Sequence, residues 1–381
     1  MDQNIITSDD NFKAFDKWLT ENSVKKLLLV CDTSFQFLTE IKSYIEQIEK
    51  TGKTPSGNDL SIIRFDDFQP NPLYESVVKG VKLFRETECD AIFAVGGGSA
   101  MDTAKCIKLY SNMKSDGENG SFLNEEIVPN KMPFLAMPTT AGTGSEATRY
   151  AVIYFDGKKQ SVADMSCIPE TVLMDSSVLK TLPVYQKKST MMDAFCHAIE
   201  SFWSVNSTDE SKEYSRKSIR MVMENMDGYL GNTEEGNSNM LIAANLAGKA
   251  INITQTTAGH AMCYKITSLF GSAHGHAAIL CDRILFPWMI ENTDKCIDPR
   301  GEEYLKTVFD EIAEAMGAAS PKEAAEKLTE IFEALELPVP TATEEQFGEL
   351  KVSVNPVRLK NHPIALDEET IDNLYHKILK M

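Results

Sequence analysis

No stretch of this 381-residue sequence approaches the ~20 consecutive apolar residues that a membrane-spanning helix needs. The N-terminus, MDQNIITSDDNFKAF, carries early acidic residues and no apolar core, so a secretory signal is not expected there. Internal repeats, coiled-coil heptads and low-complexity tails are absent. Basic residues are in deficit: 38 Lys and Arg against 56 Asp and Glu leave a formal net charge of −18. A mean field of that sign repels nucleic acid and anionic bilayers, so neither is an expected partner. The eight cysteines, at 31, 89, 106, 167, 196, 263, 281 and 296, form no CxxC pair and no cluster. In a chain of this size that is the pattern of reduced, mostly buried thiols in a cytoplasmic protein. Histidine is scarce, with six residues in the whole chain.

What is present is ordinary for a folded protein: 43% hydrophobic and 25% charged residues. At roughly 150 residues per domain the length suggests about two domains, large enough to form cores without disulfide or metal staples. The first half alternates short apolar runs with amphipathic ones. Lys26–Asp32, Leu60–Phe65 and Asp90–Val95 read as strands, with helical patterns through Phe37–Ile48 and Pro72–Glu86 between them. That βαβαβ rhythm predicts an open parallel sheet with right-handed crossovers and a ligand at the carboxyl ends of its strands. Further strands are expected at Met132–Met137, Tyr150–Phe155 and Thr171–Met174, and a polar surface loop over Ser111–Asn130. Past about residue 185 long helical patterns take over, at 191–205, 212–230, 240–254, 302–315 and 322–335. The expected division is therefore an α/β domain over residues 1–183 and a helical domain over residues 184–381.

Three segments carry chemistry. Gly96-Gly97-Gly98-Ser99 follows a strand and opens a helix, where bare backbone, free N–H groups and a positive dipole end suit a pyrophosphate. The spacing is not GxGxxG, and a tight strand-to-helix turn is the plainer alternative. Thr139–Glu146 places small and hydroxyl residues after another strand, at a density that can surround a ribose or a base. Asp193 and His197 lie four apart on one helical face, and four of the six histidines fall at 197, 260, 274 and 276. One carboxylate with three imidazoles suits Fe²⁺ or Zn²⁺. Taken singly, each histidine reads more simply as a core residue satisfied by the backbone.

GGGSAMDTAK at 96–105, MPTTAGTGSEAT at 137–148, DAFCHAIE at 193–200 and the pair His260/His274 resemble, in order, the iron-containing (group III) alcohol dehydrogenase family. The likeness runs from about Lys26 to the C-terminus. It implies a dehydroquinate-synthase-like architecture: an N-terminal dinucleotide-binding α/β domain with a parallel sheet, and an all-helical C-terminal metal-binding domain, with NAD(P) and metal in a cleft between them. Carried over by residue, it implies metal ligands at Asp193, His197, His260 and His274. It places cofactor contacts at Asn71, Gly97, Gly98, Ser99, Asp102, Thr139, Thr140, Thr143 and Lys159. Asp32 resembles the position that senses the adenosine ribose; a carboxylate there bonds a free 2′-hydroxyl and repels a 2′-phosphate, which favours NAD(H) over NADP(H). The implied reaction is reduction of a small aldehyde by direct hydride transfer from the nicotinamide. A homodimer is the assembly the family suggests.

Two departures from the family pattern bear on chemistry. Tyr264 stands where many relatives carry a second histidine, one turn after His260, and with Asp102 it is a candidate catalytic residue. Lys265 stands where many relatives have proline, and Arg149 follows the GTGSEAT loop. Two cations in so acidic a chain suggest an anchor for an anionic aldehyde, against the plainer reading of ordinary ion pairs. The pattern around 260–280 resembles phosphonoacetaldehyde reductases, which make 2-hydroxyethylphosphonate. The rivals are a glycerol-dehydrogenase-like or dehydroquinate-synthase-like enzyme and a non-catalytic NAD-binding protein. The complete ligand set argues against both. His276 is expected to be structural, and Cys196 and Cys263 to be packing thiols.

Overall fold

The computed structural model describes residues 3–8 and 12–381, the side chain of Arg358 excepted. It divides into Met1–Thr140 with Ser145–Leu182, and Pro183–Met381 with the short segment Ala141–Gly144.

The first unit is built on β1 (Asn4–Thr7), β2 (Lys26–Cys31), β3 (Ser61–Phe65), β4 (Ala91–Gly96), β5 (Phe134–Pro138) and β8 (Thr171–Met174). They form one sheet in the order β1-β8-β5-β4-β2-β3, and every pairing is parallel. Every residue of β4 and β5 is buried, as unbroken apolar strands covered on both faces require. The helices are α1 (Lys13–Glu21), α2 (Thr39–Thr51), α3 (Tyr74–Thr87), α4 (Gly98–Ser111) and the single turn α5 (Ser121–Asn124). Helix α2 buries Ile41, Tyr44, Ile45 and Ile48, one stripe at helical spacing, and stops at Gly52 in the left-handed conformation. Helix α4 has no such stripe: it is buried on nearly every side from Thr103 to Tyr110. An antiparallel hairpin, β6 (Tyr150–Phe155) with β7 (Lys158–Ala163), completes the unit.

The chain runs from β2 outward to β3, then returns to place β4 on the other side of β2. The switch point lies between the carboxyl ends of β2 and β4, where Asp32 and Gly96–Gly98 follow. This is where ligands sit on open parallel sheets.

Ser111–Asn130 is more ordered than a polar surface loop. The Tyr74 hydroxyl donates to the Gly117 carbonyl at 2.7 Å and accepts the Phe122 N–H at 3.1 Å. Phe122 is buried and stacks on Tyr110, with ring centroids 4.8 Å apart. One aromatic anchor in a polar stretch leaves no periodic signal, which is why the sequence does not show it.

The second unit is helical: α6 (Val184–Trp203), α7 (Asp209–Leu230), α8 (Glu234–Thr254), α9 (Ala258–Phe270), α10 (His274–Glu291), α11 (Glu302–Ala315), α12 (Pro321–Ala334), α13 (Glu344–Ser353), α14 (Pro356–Leu359) and α15 (Glu368–Ile378). Its caps are written in the sequence. Thr208 exchanges hydrogen bonds with Ser211 at the start of α7, and Ser320 caps α12 with Pro321 in the first turn. Helix α6 is buried from Met191 to Trp203 and packs against α7, α8, α10 and α11, so it is the axis of the unit. None of the helices is long and apolar enough to cross a membrane, among the described residues.

Candidate functional site

In the α/β unit, the residues expected to hold a dinucleotide gather at the switch point. Gly96 has φ +156, and a Cβ there would lie 2.5 Å from the Ala100 Cβ and 3.3 Å from Asp32 Oδ2, so only glycine allows that approach. Gly97 caps α4 and leaves its side free beside the Thr140 hydroxyl. The Asn71 N–H donates to Ser99 Oγ at 3.3 Å, and the Thr139 N–H to the Gly96 carbonyl at 3.0 Å. Asp32, Asn71, Gly97, Gly98, Ser99, Thr139 and Thr140 thus share one end of the sheet, with the N-terminus of α4 in their midst. Asp32 also caps the turn Thr33–Phe37, accepting the Ser34 N–H at 2.8 Å.

Asp102, one turn into α4, is held by structure on every side. It accepts from the Ser145 hydroxyl at 2.8 Å and the Val152 N–H at 3.0 Å, and Lys105 and Lys159 add positive charge. Burial still pushes its carboxyl above the usual range. Lys105 is fully buried, which its place at the end of GGGSAMDTAK does not reveal. Its ammonium reaches the Ser145 carbonyl at 2.5 Å, the Ser145 hydroxyl at 3.0 Å, the Thr148 hydroxyl at 3.2 Å and the Tyr150 carbonyl at 2.7 Å. Nothing in the sequence sets it apart from Asp102 and Lys108 of the same helix. It ties the GTGSEAT segment to α4 without any carboxylate.

Within that segment, Ala141–Gly144 packs with the helical unit. Gly142 lies against Thr190 of α6 and Gly144 against Gly248 of α8, each too close for a side chain. Thr143 is carried on this stretch.

The helical unit brings Asp193, His260 and His274 together, with one donor atom from each within 4.8 Å of the others. Asp193 Oδ1 is 3.5 Å from His260 Nε2 and 4.0 Å from His274 Nε2. They come from the middle of α6, the first turn of α9 and the first residue of α10. Gly275 makes the meeting of α10 with α6 feasible, because a Cβ there would lie 2.1 Å from the Ser189 carbonyl and 2.6 Å from the Asp193 Cβ. Asp193 Oδ1 and His260 Nε2 are buried and have no hydrogen-bond partner. Such orphans are costly in a dry interior unless something binds them, so the residues present fit a divalent cation. His197 lies beside the group rather than in it: its ring stacks on that of His260 at 4.4 Å and 15°, is bonded to the Gly142 backbone, and leaves Nδ1 unpartnered. Burial holds His197 down at about 4. Burial alone would raise the Asp193 carboxyl, but the imidazoles of His197, His260 and His274 hold it well below the usual carboxylate range.

Tyr264, one turn after His260, places its ring 5.2 Å from that of His274. Lys265 forms an ion pair with Glu349 at 2.8 Å, so its charge is already answered, and an anion anchor there would have to break that pair. The Arg149 guanidinium lies over the Tyr150 ring at 5.1 Å and donates to the Tyr150 hydroxyl at 2.9 Å and 3.1 Å. His276 is structural: Tyr185 bonds its Nδ1 at 3.0 Å, and its Nε2 bonds the Pro338 carbonyl at 2.9 Å. Cys196 and Cys263 are buried, Cys263 bonding the His260 carbonyl at 3.3 Å.

Residues 2–176 match the sequence family described as Iron-containing alcohol dehydrogenase, and residues 187–379 match Fe-containing alcohol dehydrogenase family, C-terminal. Over 280 residues the chain is 30% identical to the 1,3-propanediol dehydrogenase of Citrobacter freundii, covering 72% of this chain and 70% of that one. It is 30% identical over 287 residues to Aldehyde-alcohol dehydrogenase 2 of Entamoeba histolytica, covering 72% of this chain but 32% of that protein. It thus spans about a third of the length of these longer relatives. The fold matches that of the sulfoacetaldehyde reductase from Bifidobacterium kashiwanohense, solved in complex with NAD+, with a TM-score of 0.85 at 24% identity over 99% of this chain and 96% of that one. A structure of 1,3-propanediol oxidoreductase also matches, with a TM-score of 0.85 at 22% identity, over 99% and 98%.

Proposed function

We propose, because this chain belongs to the iron-containing alcohol dehydrogenase family, that it reduces a small aldehyde with a nicotinamide cofactor and a divalent metal, Fe²⁺ in preference to Zn²⁺. The observation that carries this reading is the convergence of donor atoms from Asp193, His260 and His274, with Asp193 Oδ1 and His260 Nε2 buried and unsatisfied, an arrangement with no role in a protein that merely binds nucleotide. Asp193, His260 and His274 would hold the ion, His197 completing the set by turning its free nitrogen toward it. When bound, the metal offers a Lewis acid to a carbonyl or alkoxide oxygen and the nicotinamide carries the hydride.

The chain's own residues do the rest. Gly97, Gly98 and Ser99 present free N–H groups and a helix N-terminus to a pyrophosphate. Thr139, Thr140, Thr143, Asn71 and Lys159 are the further cofactor contacts. Asp32 selects NAD(H) over NADP(H) through the ribose 2′-hydroxyl. Tyr264, with its ring against His274, is positioned to pass a proton. Asp102 acts through the loop it holds, fixing Ser145 and β6. The substrate we favour carries an anionic group, phosphonoacetaldehyde giving 2-hydroxyethylphosphonate, with Arg149 as the anchor and Lys265 recruited from its pair with Glu349. The assembly we favour is a homodimer.

The test is NADH oxidation by Fe²⁺-loaded protein on phosphonoacetaldehyde, sulfoacetaldehyde, acetaldehyde, propionaldehyde and glycolaldehyde. A preference of about 100-fold for an anionic aldehyde, worth about 2.7 kcal/mol, supports the anchor. Equal or better turnover of the neutral aldehydes removes Arg149 and Lys265 from the site and leaves the reductase reading in place. His274→Ala should lose both metal and at least about 10³-fold in turnover, the several kcal/mol a Lewis acid contributes; full metal content in that variant would sink the ligand assignment.

A further inference from the structure

Glu200 is fully buried on α6, two turns past Asp193. Its carboxylate is saturated. Oε1 accepts the His260 backbone N–H at 2.9 Å and the His260 Nδ1–H in a short bond, while Oε2 accepts the Thr257 N–H at 2.5 Å and the Thr257 hydroxyl at 2.6 Å. The Thr257 hydroxyl is itself fixed by the Trp203 indole N–H at 2.8 Å. Glu200 therefore takes two buried N–H groups at the start of α9 that have no helical acceptor, and the oxygen that accepts the His260 N–H also accepts that residue's ring nitrogen. In the neutral ring, the form a metal ligand takes, Nδ1–H so engaged makes Nε2 the lone-pair nitrogen, and Nε2 is the one that faces Asp193. Glycine at 259 is part of the arrangement: a Cβ there would lie 1.9 Å from Asp282 Oδ1 and 2.7 Å from Glu200 Oε1.

We propose that Glu200 is the positioning residue of the metal site, fixing the tautomer and ring orientation of His260 so that Nε2 is presented to the ion. A hydrogen-bonded carboxylate behind a ligating imidazole also raises its basicity, and losing such a partner costs about 10–100-fold in metal affinity. A structural account, in which Glu200 serves only to cap α9, makes a different prediction, and Thr257 separates the two. Thr257→Val removes a donor to Glu200 at the helix start without touching His260, whereas Glu200→Gln alters the group behind the imidazole itself.

The inference rests on Asp193, His260 and His274 being the metal ligands. The measurement is the Zn²⁺ affinity of the metal-free full chain, by competition with a chromogenic chelator, beside its urea unfolding curve. Glu200→Gln should weaken Zn²⁺ binding by about 10–100-fold and broaden the visible spectrum of the Co²⁺-loaded protein, while Thr257→Val lowers stability and leaves Zn²⁺ affinity within about threefold. In a His260→Ala background, Glu200→Gln should cost no further affinity. Should Glu200→Gln fail to fold, Glu200→Asp, which keeps the charge and retracts it by one methylene, must show the same preferential loss of Zn²⁺ binding. Unchanged affinity in the folded Glu200 variant, or an equal loss in Thr257→Val, overturns the positioning role alone. A wild-type chain that fails to bind Zn²⁺ at all, or a His274→Ala variant that binds it as tightly, overturns the ligand assignment beneath it.

Discussion

Gly144 and Gly248 lie backbone against backbone: a Cβ on Gly248 would sit 2.4 Å from the Gly144 carbonyl oxygen, and one on Gly144 would sit 2.6 Å from the Gly248 Cα. Gly144 also has φ +57, the left-handed region that glycine tolerates without cost. One pair of residues thus fixes how the GTG stretch seats on α8. Gly248→Ala should force the stretch off the helix, lowering stability by about 1–3 kcal/mol in urea unfolding and weakening NADH binding through the displaced Thr143. A variant with wild-type unfolding and wild-type NADH affinity would show that the stretch can shift freely.

Asp32 combines a cap with a charge. Asp32→Asn keeps an oxygen for the Ser34 N–H and removes the carboxylate. Its ratio of NADPH to NADH dissociation constants should fall by about tenfold, or about 1.4 kcal/mol. If fluorescence titration finds the ratio unmoved, cofactor choice is made elsewhere.

Lys105 is the buried fastener of α4, the GTGSEAT segment and β6. Lys105→Met keeps the length of the side chain and strands the oxygens that now share its ammonium. Leaving buried polar groups unpaired costs a few kcal/mol, so a loss of about 3 kcal/mol or more in unfolding free energy is expected. A loss below about 1 kcal/mol would mean that water or a neighbour replaces the ammonium.

His362 is fully buried, with neither ring nitrogen hydrogen-bonded. Burial lowers it from 6.5 to about 4, against a smaller opposing effect from Glu200. As pH falls below 6.5 the unfolded chain gains a proton that the folded chain refuses until about 4. Stability is therefore lost across that window, by up to about 3 kcal/mol from this residue. His362→Leu should flatten the acid limb of a melting-temperature profile between those limits, whatever it does to the absolute melting temperature. Parallel profiles for the two proteins would mean that His362 is protonated in the fold.

The expected spans at 26–32, 60–65 and 90–95 lie within one residue of β2, β3 and β4 at either end: β2 and β4 are buried almost throughout and have to be apolar, while β3, at the sheet edge and partly exposed, is marked by Ile62 and Ile63. β1 and β7 were not legible, because Asn4–Thr7 and Lys158–Ala163 have mostly exposed side chains and owe their conformation to the neighbouring strand. Helices α9 and α10 leave no amphipathic stripe in the sequence, since both are apolar around most of their circumference. Glu200 ends DAFCHAIE and Lys105 ends GGGSAMDTAK, each an ordinary charged residue in the sequence. Nothing local distinguishes a charge that will be buried and saturated from one that will face water.

By itself the sequence determined the local chemistry: which runs must be covered strands, where glycines free the backbone, and that a carboxylate and several imidazoles were available for a cation. Only the tertiary structure decided which of them meet. Asp193, His260 and His274 are separated by up to 81 residues and converge because Gly275 lets α10 approach α6 and Glu200 holds the start of α9. His197, four residues from Asp193 on the same helix, stacks its ring on that of His260 beside the three converging atoms. Helical spacing puts two side chains on one face, but the orientation of each is set by the neighbours packed against it.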